Sequence, residues 1–258
     1  MILKGRGISR GTGEGQLVVS EGAVSFLGGV NPATGALNDK AMMGRTVKGQ
    51  VFAFPRGKGS TVGSYVLLEM KRQGTLPAAM INASAEPIVA TGAVMAGVPL
   101  VDRIDLSLLR TGDLCRVDGE AGTIELPEVK EVHVVSSFLQ DGEDLLLLKR
   151  SDKVGSFRGH WAGVSGYIDD GEAPEQAARR EIKEELGIPD CELLTAAEAT
   201  MARADDTVWV VHPFLFRARD REVLLDWEHT EYRWLKLADV AALTTVPGLE
   251  RVLRSLLP

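Results

Sequence analysis

The chain is 258 residues long, with 45% hydrophobic and 25% charged residues and a formal net charge of −7; that length suits two folded units, and the composition is globular rather than disordered. Its apolar runs, such as Tyr65 to Leu68 and Leu145 to Leu148, are far too short to span a bilayer, and Met1-Ile2-Leu3-Lys4-Gly5 lacks the regions of a signal peptide, so a cytoplasmic protein with no membrane partner is expected. Two cysteines, Cys115 and Cys191, can neither build a disulfide framework nor ligate a cluster alone, and small buried thiols in a reducing compartment are the expectation.

A compositional break falls at Leu126-Pro127-Glu128-Val129-Lys130-Glu131. Residues 1–130 hold 14 Lys and Arg against 12 Asp and Glu, and the remainder holds 15 against 24. Twenty of the 28 glycines lie before the break and all four histidines after it. Domains are therefore expected over 1–127 and 131–258. The acidic balance of the second argues against a nucleic acid partner, which leaves a basic footprint.

In the first domain a β-rich run, Val51 to Phe54, enters Pro55-Arg56-Gly57-Lys58-Gly59, and a helix is expected to begin near Ser60-Thr61. Small residues let the chain turn sharply, and a helix N-terminus offers free amides that favour anions. Ser60, Thr61 and Ser64 would place hydroxyls there, beside the cations Arg56 and Lys58. On the residues alone two readings stand: an anion cradle, or Ser60 as the N-cap of an ordinary βα turn. A nucleotide P-loop is excluded, because the Gly-Lys-Ser order is absent at the required spacing.

The second domain reads as strand-rich. Val132 to Leu139 and Leu145 to Leu148 flank Asp141-Gly142-Glu143-Asp144 as a hairpin. Trp161 to Ile168, Val208 to Phe216 and Tyr232 to Leu235 are further strands, and helices are expected over 237–243 and 249–257. Between the third and fourth strands, Asp169-Asp170-Gly171 is turn chemistry and Pro174 suits the first turn of a helix. Glu175 to Leu186 are good helix formers, and Gly187 is the expected stop. Glu181, Glu184 and Glu185 stand at i, i+3 and i+4, so three carboxylates share one face. Such a cluster is best tolerated around a cation, and hard oxygen ligands suit Mg²⁺ or Mn²⁺. A solvated acidic face is the plainer reading of a Glu-rich helix taken by itself. Glu228, His229 and Glu231, just before the last strand, either reach that cluster or form a solvated turn.

The carboxylates belong to a longer pattern: Gly166, five residues, Glu172, seven residues, Arg180-Glu181-Ile182, one residue, Glu184-Glu185, one residue, Gly187-Ile188. At about 7% per residue type, its seven fixed positions coincide by chance at roughly 10⁻⁸ per starting point. The pattern resembles the full signature of the Nudix hydrolases. The resemblance implies an α/β/α sandwich with a mixed sheet between helices, and hydrolysis of a diphosphate linked to some group X. Glu184 and Glu185 are then the first metal ligands, and Glu181 a third ligand or the catalytic base that orients water. Gly166, Glu172, Arg180 and Gly187 are support that braces the loop against the helix. Ser165 stands where relatives often have a second glycine.

Residues 1–126 resemble the swivel domain of the aconitase X group, most closely the small subunits of archaeal phosphomevalonate dehydratases. The stretches that carry this are GEGQLVVSEGAVSFLGGVNPATG, GRTVKGQVFAFPRGKGSTVGSYVLLEM and AAMINASAEPIVATGAVMAGVPLVD. The resemblance implies a swivelling β/β/α domain with Ser60 as catalytic base, and Arg56, Lys58, Thr61 and Ser64 as the substrate-binding set. It also implies a heterodimer whose separate large subunit holds an iron–sulfur cluster. The implied reaction is loss of water from (R)-5-phosphomevalonate to the trans-anhydro product, in the archaeal mevalonate route to isoprenoids. An unaided serine is a poor base, so helix amides and cationic side chains must stabilise its alkoxide. Glu69 lies too far along the helix to replace it. The chain thus reads as α/β throughout, two enzymes fused. The rival reading leaves only the Nudix half catalytic, with the swivel half a binding or regulatory module.

Overall fold

A computed structural model describes residues 1–257, which fall into two compact units, one spanning Met1–Lys130 and one starting at Glu131. The first unit runs β1 (Ile2–Lys4), β2 (Arg6–Ser9), β3 (Thr12–Val19), a kinked turn α1 (Phe26–Gly29), β4 (Val51–Phe54), α2 (Gly63–Gln73), β5 (Ala79–Asn82), α3 (Pro87–Ala96), β6 (Leu100–Asp102), β7 (Leu114–Asp118) and β8 (Thr123–Glu125). Its strands form one sheet in the order β1-β8-β7-β3-β4-β5-β6-β2.

Strand β3 joins two kinds of sheet. Its first half, Thr12 to Gln16, pairs antiparallel with β7, and Leu17 to Val19 pair parallel with β4. Gly13 permits the crossing, because any Cβ there would collide with the carbonyl of Ala78. Strands β4, β5 and β6 continue in parallel. Parallel strands need helical crossovers and apolar residues on both faces, and every residue of β4 and β5 is buried. Phe52, Phe54, Met80, Leu67 and Met70 share one core with Val89 and Ala93 of α3. The parallel strands all end on the same side, at Phe54, Asn82 and Asp102, which is where open α/β sheets bind ligands.

The second unit comprises β9 (Lys130–Asp141), β10 (Asp144–Arg150), β11 (Trp161–Ala162), β12 (Val164–Tyr167), α4 (Pro174–Leu186), β13 (Glu192–Ala196), β14 (Thr200–Ala204), β15 (Thr207–Arg217), β16 (His229–Lys236), α5 (Leu237–Val240) and α6 (Leu249–Leu256). The path β11-β10-β9-β15-β13 carries β12 on β9, β14 on β15 and β16 on β10. Most pairs are antiparallel, but β9 and β15 run the same way. His133 stands beside His212 near one end of that pair, and Gln140 accepts from Ala218 N at the other. The sheet is mixed, as expected.

Alternation along the central strands covers both faces of this sheet. Val135, Leu139, Leu146, Leu148, Phe214 and Phe216 face α4 through Ala177, Ala178 and Ile182. The intervening Phe138, Leu145, Leu147 and Leu215 face α5 and α6 through Val240, Val252 and Leu253. This is the α/β/α sandwich, and α4 runs from Pro174 to a left-handed Gly187 at φ 71° as the sequence indicates. Three expectations need correction. The strand expected over 161–168 divides at Gly163 into β11 on β10 and β12 on β9. The helix expected over 237–243 is a single turn, and β13 and β14 were not foreseen. No described helix is long and apolar enough to cross a membrane.

Candidate active sites

In the second unit, β12 brings Gly166 against α4 so closely that any Cβ there would collide with the Glu181 carboxylate. Arg180 organises the same region. Its Nε and Nη2 donate to Glu172 at 3.0 Å each, its Nη1 donates to Glu181 Oε1 at 2.6 Å, and Nη2 also reaches the carbonyl of Tyr167 at 2.9 Å. Glu172 in turn accepts from Asp169 N at 3.2 Å, so one guanidinium fixes the loop, the strand and the helix together. The Arg180 bond, backed by that amide, holds the Glu172 carboxyl below its ordinary value. Glu184 is exposed and lies 3.5 Å from Arg180.

Glu185 differs from its neighbours. It is 4% exposed, and burial pushes its carboxyl up to about 9. Its Oε1 accepts from Ser165 N at 3.3 Å, while Oε2 has no hydrogen-bond partner. His229 Nδ1 approaches Oε2 to 3.6 Å. Burial raises the carboxyl and lowers the imidazole, which disfavours an ion pair between them. His229 Nδ1 lies 3.2 Å from Asp226 Oδ1, and Asp226 N donates to Glu185 O at 3.2 Å. The loop before β16 is thereby bonded to α4. Glu228 lies close enough for its charge to raise Glu181 and Glu185, and burial raises its own carboxyl. Glu231 instead turns to Arg233 at 2.6 Å and Lys149 at 3.6 Å, outside the cluster.

A divalent cation suits this donor set. A buried carboxylate oxygen without a partner is costly unless charge is brought to it, and hard oxygen donors from Glu181, Glu184, Glu185 and Glu228 supply the chemistry. As the side chains stand, no three His, Cys, Asp or Glu converge on one point among the described residues. Arg180 serves meanwhile as counter-charge to Glu181 and Glu184.

In the first unit, the loop after β4 lies at the carboxyl ends of the parallel strands. Arg56, Lys58, Ser60 and Thr61 are all exposed. Ser60 Oγ accepts from Val62 N at 3.3 Å, and Gly63 N bonds to Ser60 O at 2.9 Å. The helix expected at Ser60-Thr61 therefore starts at Gly63, after one turn. Ser64 is a second correction. It is buried and donates to Ile88 O at 2.9 Å, which ties α2 to α3 instead of facing an anion. One residue the sequence reading missed is Glu86, whose oxygens accept from Ile88 N at 2.7 Å and Val89 N at 2.8 Å at the start of α3. Any Cβ at Gly57 would collide with it. The available signal was an acid directly before Pro87 at a helix start. Both cysteines are free and buried, and burial pushes the Cys115 thiol up to about 12.

The family model for the aconitase X swivel domain matches residues 2–126, and that for the NUDIX domain matches residues 130–256. The phosphomevalonate dehydratase small subunit of Pyrococcus furiosus is 54% identical over 128 residues, which are 49% of this chain and 96% of that one. Among solved structures, the holo form of Thermococcus kodakaraensis aconitase X is 47% identical, covering 50% of this chain and 99% of that chain with a TM-score of 0.49. The MutT protein of Methanosarcina mazei Go1 is 24% identical, covering 49% of this chain and 96% of its own, with a TM-score of 0.44.

Proposed function

The chain belongs to the aconitase X swivel family over its first half and carries a Nudix domain in its second, and from that premise we propose that it joins two cytoplasmic activities. One is a dehydratase half-site that works with a large subunit; the other is a diphosphate hydrolase complete in this chain. The observation that carries the hydrolase reading is the buried, unpartnered Glu185 oxygen beside Glu181, Glu184 and Glu228. Glu184 and Glu185 would hold the cation, with Glu181 as third ligand or as the base that orients water. A bound Mg²⁺ or Mn²⁺ would neutralise phosphate charge and acidify its water. Arg180 holds Glu181 in place at 2.6 Å, and Gly166 leaves it the space. Replacing Glu184 or Glu185 with Gln should cost at least about 100-fold in rate with the fold retained. Chelator should abolish the wild-type rate, and Mg²⁺ or Mn²⁺ should restore it. Undiminished turnover in both variants would remove the assignment.

For the dehydratase reading, support comes from identity to a small subunit along nearly its whole length. Ser60 would take a carbon-bound proton from 5-phosphomevalonate and the hydroxyl group would leave, the two together making up the water lost. The Val62 amide, which donates to Ser60 Oγ at 3.3 Å, favours the alkoxide. Arg56, Lys58 and Thr61 would meet the substrate's anionic groups, and the iron–sulfur cluster would reside on the partner. The chain alone should show no dehydration. Mixed anaerobically with a cognate large subunit it should turn over, and Ser60→Ala should lose about 10²- to 10⁴-fold. Full activity in that variant would place the base elsewhere.

A further inference from the structure

The second unit is acidic, with 15 basic against 24 acidic residues after Lys130, yet the segment 149–160 holds Lys149, Arg150, Lys153 and Arg158 against Asp152 alone. This segment leaves β10, loops out and returns to β11. Its ends are closed by Arg150 N on His160 O at 3.0 Å and Gly159 N on Arg150 O at 2.9 Å. Ser151 N donates to Glu228 O at 2.7 Å, and Arg150 pairs in register with His229, so the loop stands beside the carboxylates of the candidate hydrolase site. Burial and Asp226 raise the Glu228 carboxyl and the Arg150 charge opposes that rise, which places the guanidinium within electrostatic reach of the cluster.

The cations of this loop are not taken up by carboxylates. Arg150 Nε donates to Ser156 O at 3.1 Å and Arg158 Nε to Val154 O at 2.9 Å, bonds that shape the loop and leave the Nη groups of both guanidiniums uncommitted. Lys149 pairs with Glu231 at 3.6 Å, but Arg150, Lys153 and Arg158 form no ion pair among the described residues. Lys153 and Arg158 are exposed. Between them Phe157 stands at φ 50° and is 48% exposed, a left-handed conformation that strains a bulky residue and that its packing does not offset. Like charges gathered in one loop repel each other. An oxyanion that accepts from guanidinium forks and an ammonium relieves that repulsion.

We infer that the loop 149–160 binds a phosphate carried by the group X, separate from the diphosphate that is cleaved, with Arg158 and Lys153 as donors and Phe157 against the body of X. The inference rests on the hydrolase reading and narrows it, from any linked diphosphate to one whose X is itself phosphorylated.

The test is calorimetry of the full chain with two pairs of diphosphates that differ by one phosphate, NADPH against NADH and coenzyme A against dephospho-coenzyme A. Chelator is present throughout, which stops hydrolysis. The phosphorylated member of each pair should bind at least about tenfold tighter. Geranyl diphosphate, whose X is uncharged, should bind weakest. Arg158→Ala should bring the two members of a pair close to equal affinity. Lys153→Ala should act in the same direction, and its side chain makes no bond on which the loop depends. Equal affinities within both pairs, or a phosphate preference that survives both variants, overturn the inference. With Mg²⁺ restored, turnover of any of these compounds that Glu185→Gln abolishes would then leave the hydrolase reading standing. A preference lost in the variants, without turnover of any compound, keeps the phosphate site and removes the hydrolase.

Discussion

Asp102, at the end of β6, has a side chain only 1% exposed and is nevertheless charged. Arg6 clamps it with Nε on Oδ1 at 3.0 Å and Nη2 on Oδ2 at 2.7 Å, and Ala85 N adds a bond at 3.1 Å. Burial acts to raise the carboxyl, but the Arg6 bond and the Ala85 amide outweigh it and bring it below its ordinary 3.8. A carboxyl depressed in the folded state contributes stability that is present above the unfolded pKa and lost as pH falls through the folded one. Acidification from about pH 5 to about pH 3 should therefore lower the melting of the first unit more in the native chain than in Asp102→Asn. Arg6 is half exposed, so solvent screens the pair. Arg6→Ala should still lower the urea midpoint of the first unit, because it leaves a buried carboxylate short of its partner. Neither Asp102 nor Glu86 was legible as important in the sequence. Asp102 is brought to Arg6 by sheet order rather than by local spacing, and Glu86 left only the local signal of an acid before Pro87 at a helix start. Arg180 and its carboxylates were legible because one helix and one loop set their spacing.

At the scale of elements, legibility followed the strength of the burial pattern. Strand β4 is apolar throughout and β10 through Leu145 to Leu148, and both are plain in the sequence. The burial of β13 and β14 reads only half-buried and exposed at every position, so no alternation marks them. The start of α2 was misplaced because Ser60 can bond an amide two residues on whether or not a helix has begun. The β12–α4 packing is the element pair on which the hydrolase site depends, and Gly166→Ala tests it. Its methyl must displace Glu181 or shift the strand, since the obstacle is a carboxylate already bound to Arg180. The variant should lose about 1–3 kcal/mol of stability in the second unit and at least about tenfold in hydrolase rate. A wild-type rate in Gly166→Ala would show that Glu181 can leave this position at no cost to catalysis.

For the whole molecule, the question is whether two units that fold around their own cores also work alone. The core around Phe52 draws its residues from before the break, and those around Phe214 and Phe138 from after it. The first unit closes on itself at its ends, because β1 pairs with β8 and the Met1 amine donates to Leu126 O at 3.0 Å. The second begins its sheet with β9 at Lys130. Cleavage between Val129 and Lys130 thus severs no strand, and domains close to 1–127 and 131–258 should emerge as two soluble fragments, each melting cooperatively. Their opposite charge balance, 13 basic against 12 acidic residues in 1–129 and 16 against 24 in 130–258, should separate them on an ion-exchange column. The C-terminal fragment should keep the hydrolase rate of the intact chain within a fewfold, because Glu172, Arg180, Glu181, Glu184, Glu185 and Glu228 all lie within it. The N-terminal fragment should still support dehydration with the large subunit. A folded but inactive C-terminal fragment would mean that the swivel half builds or gates the hydrolase site, and the fusion would then be one coupled enzyme rather than two joined by a peptide bond.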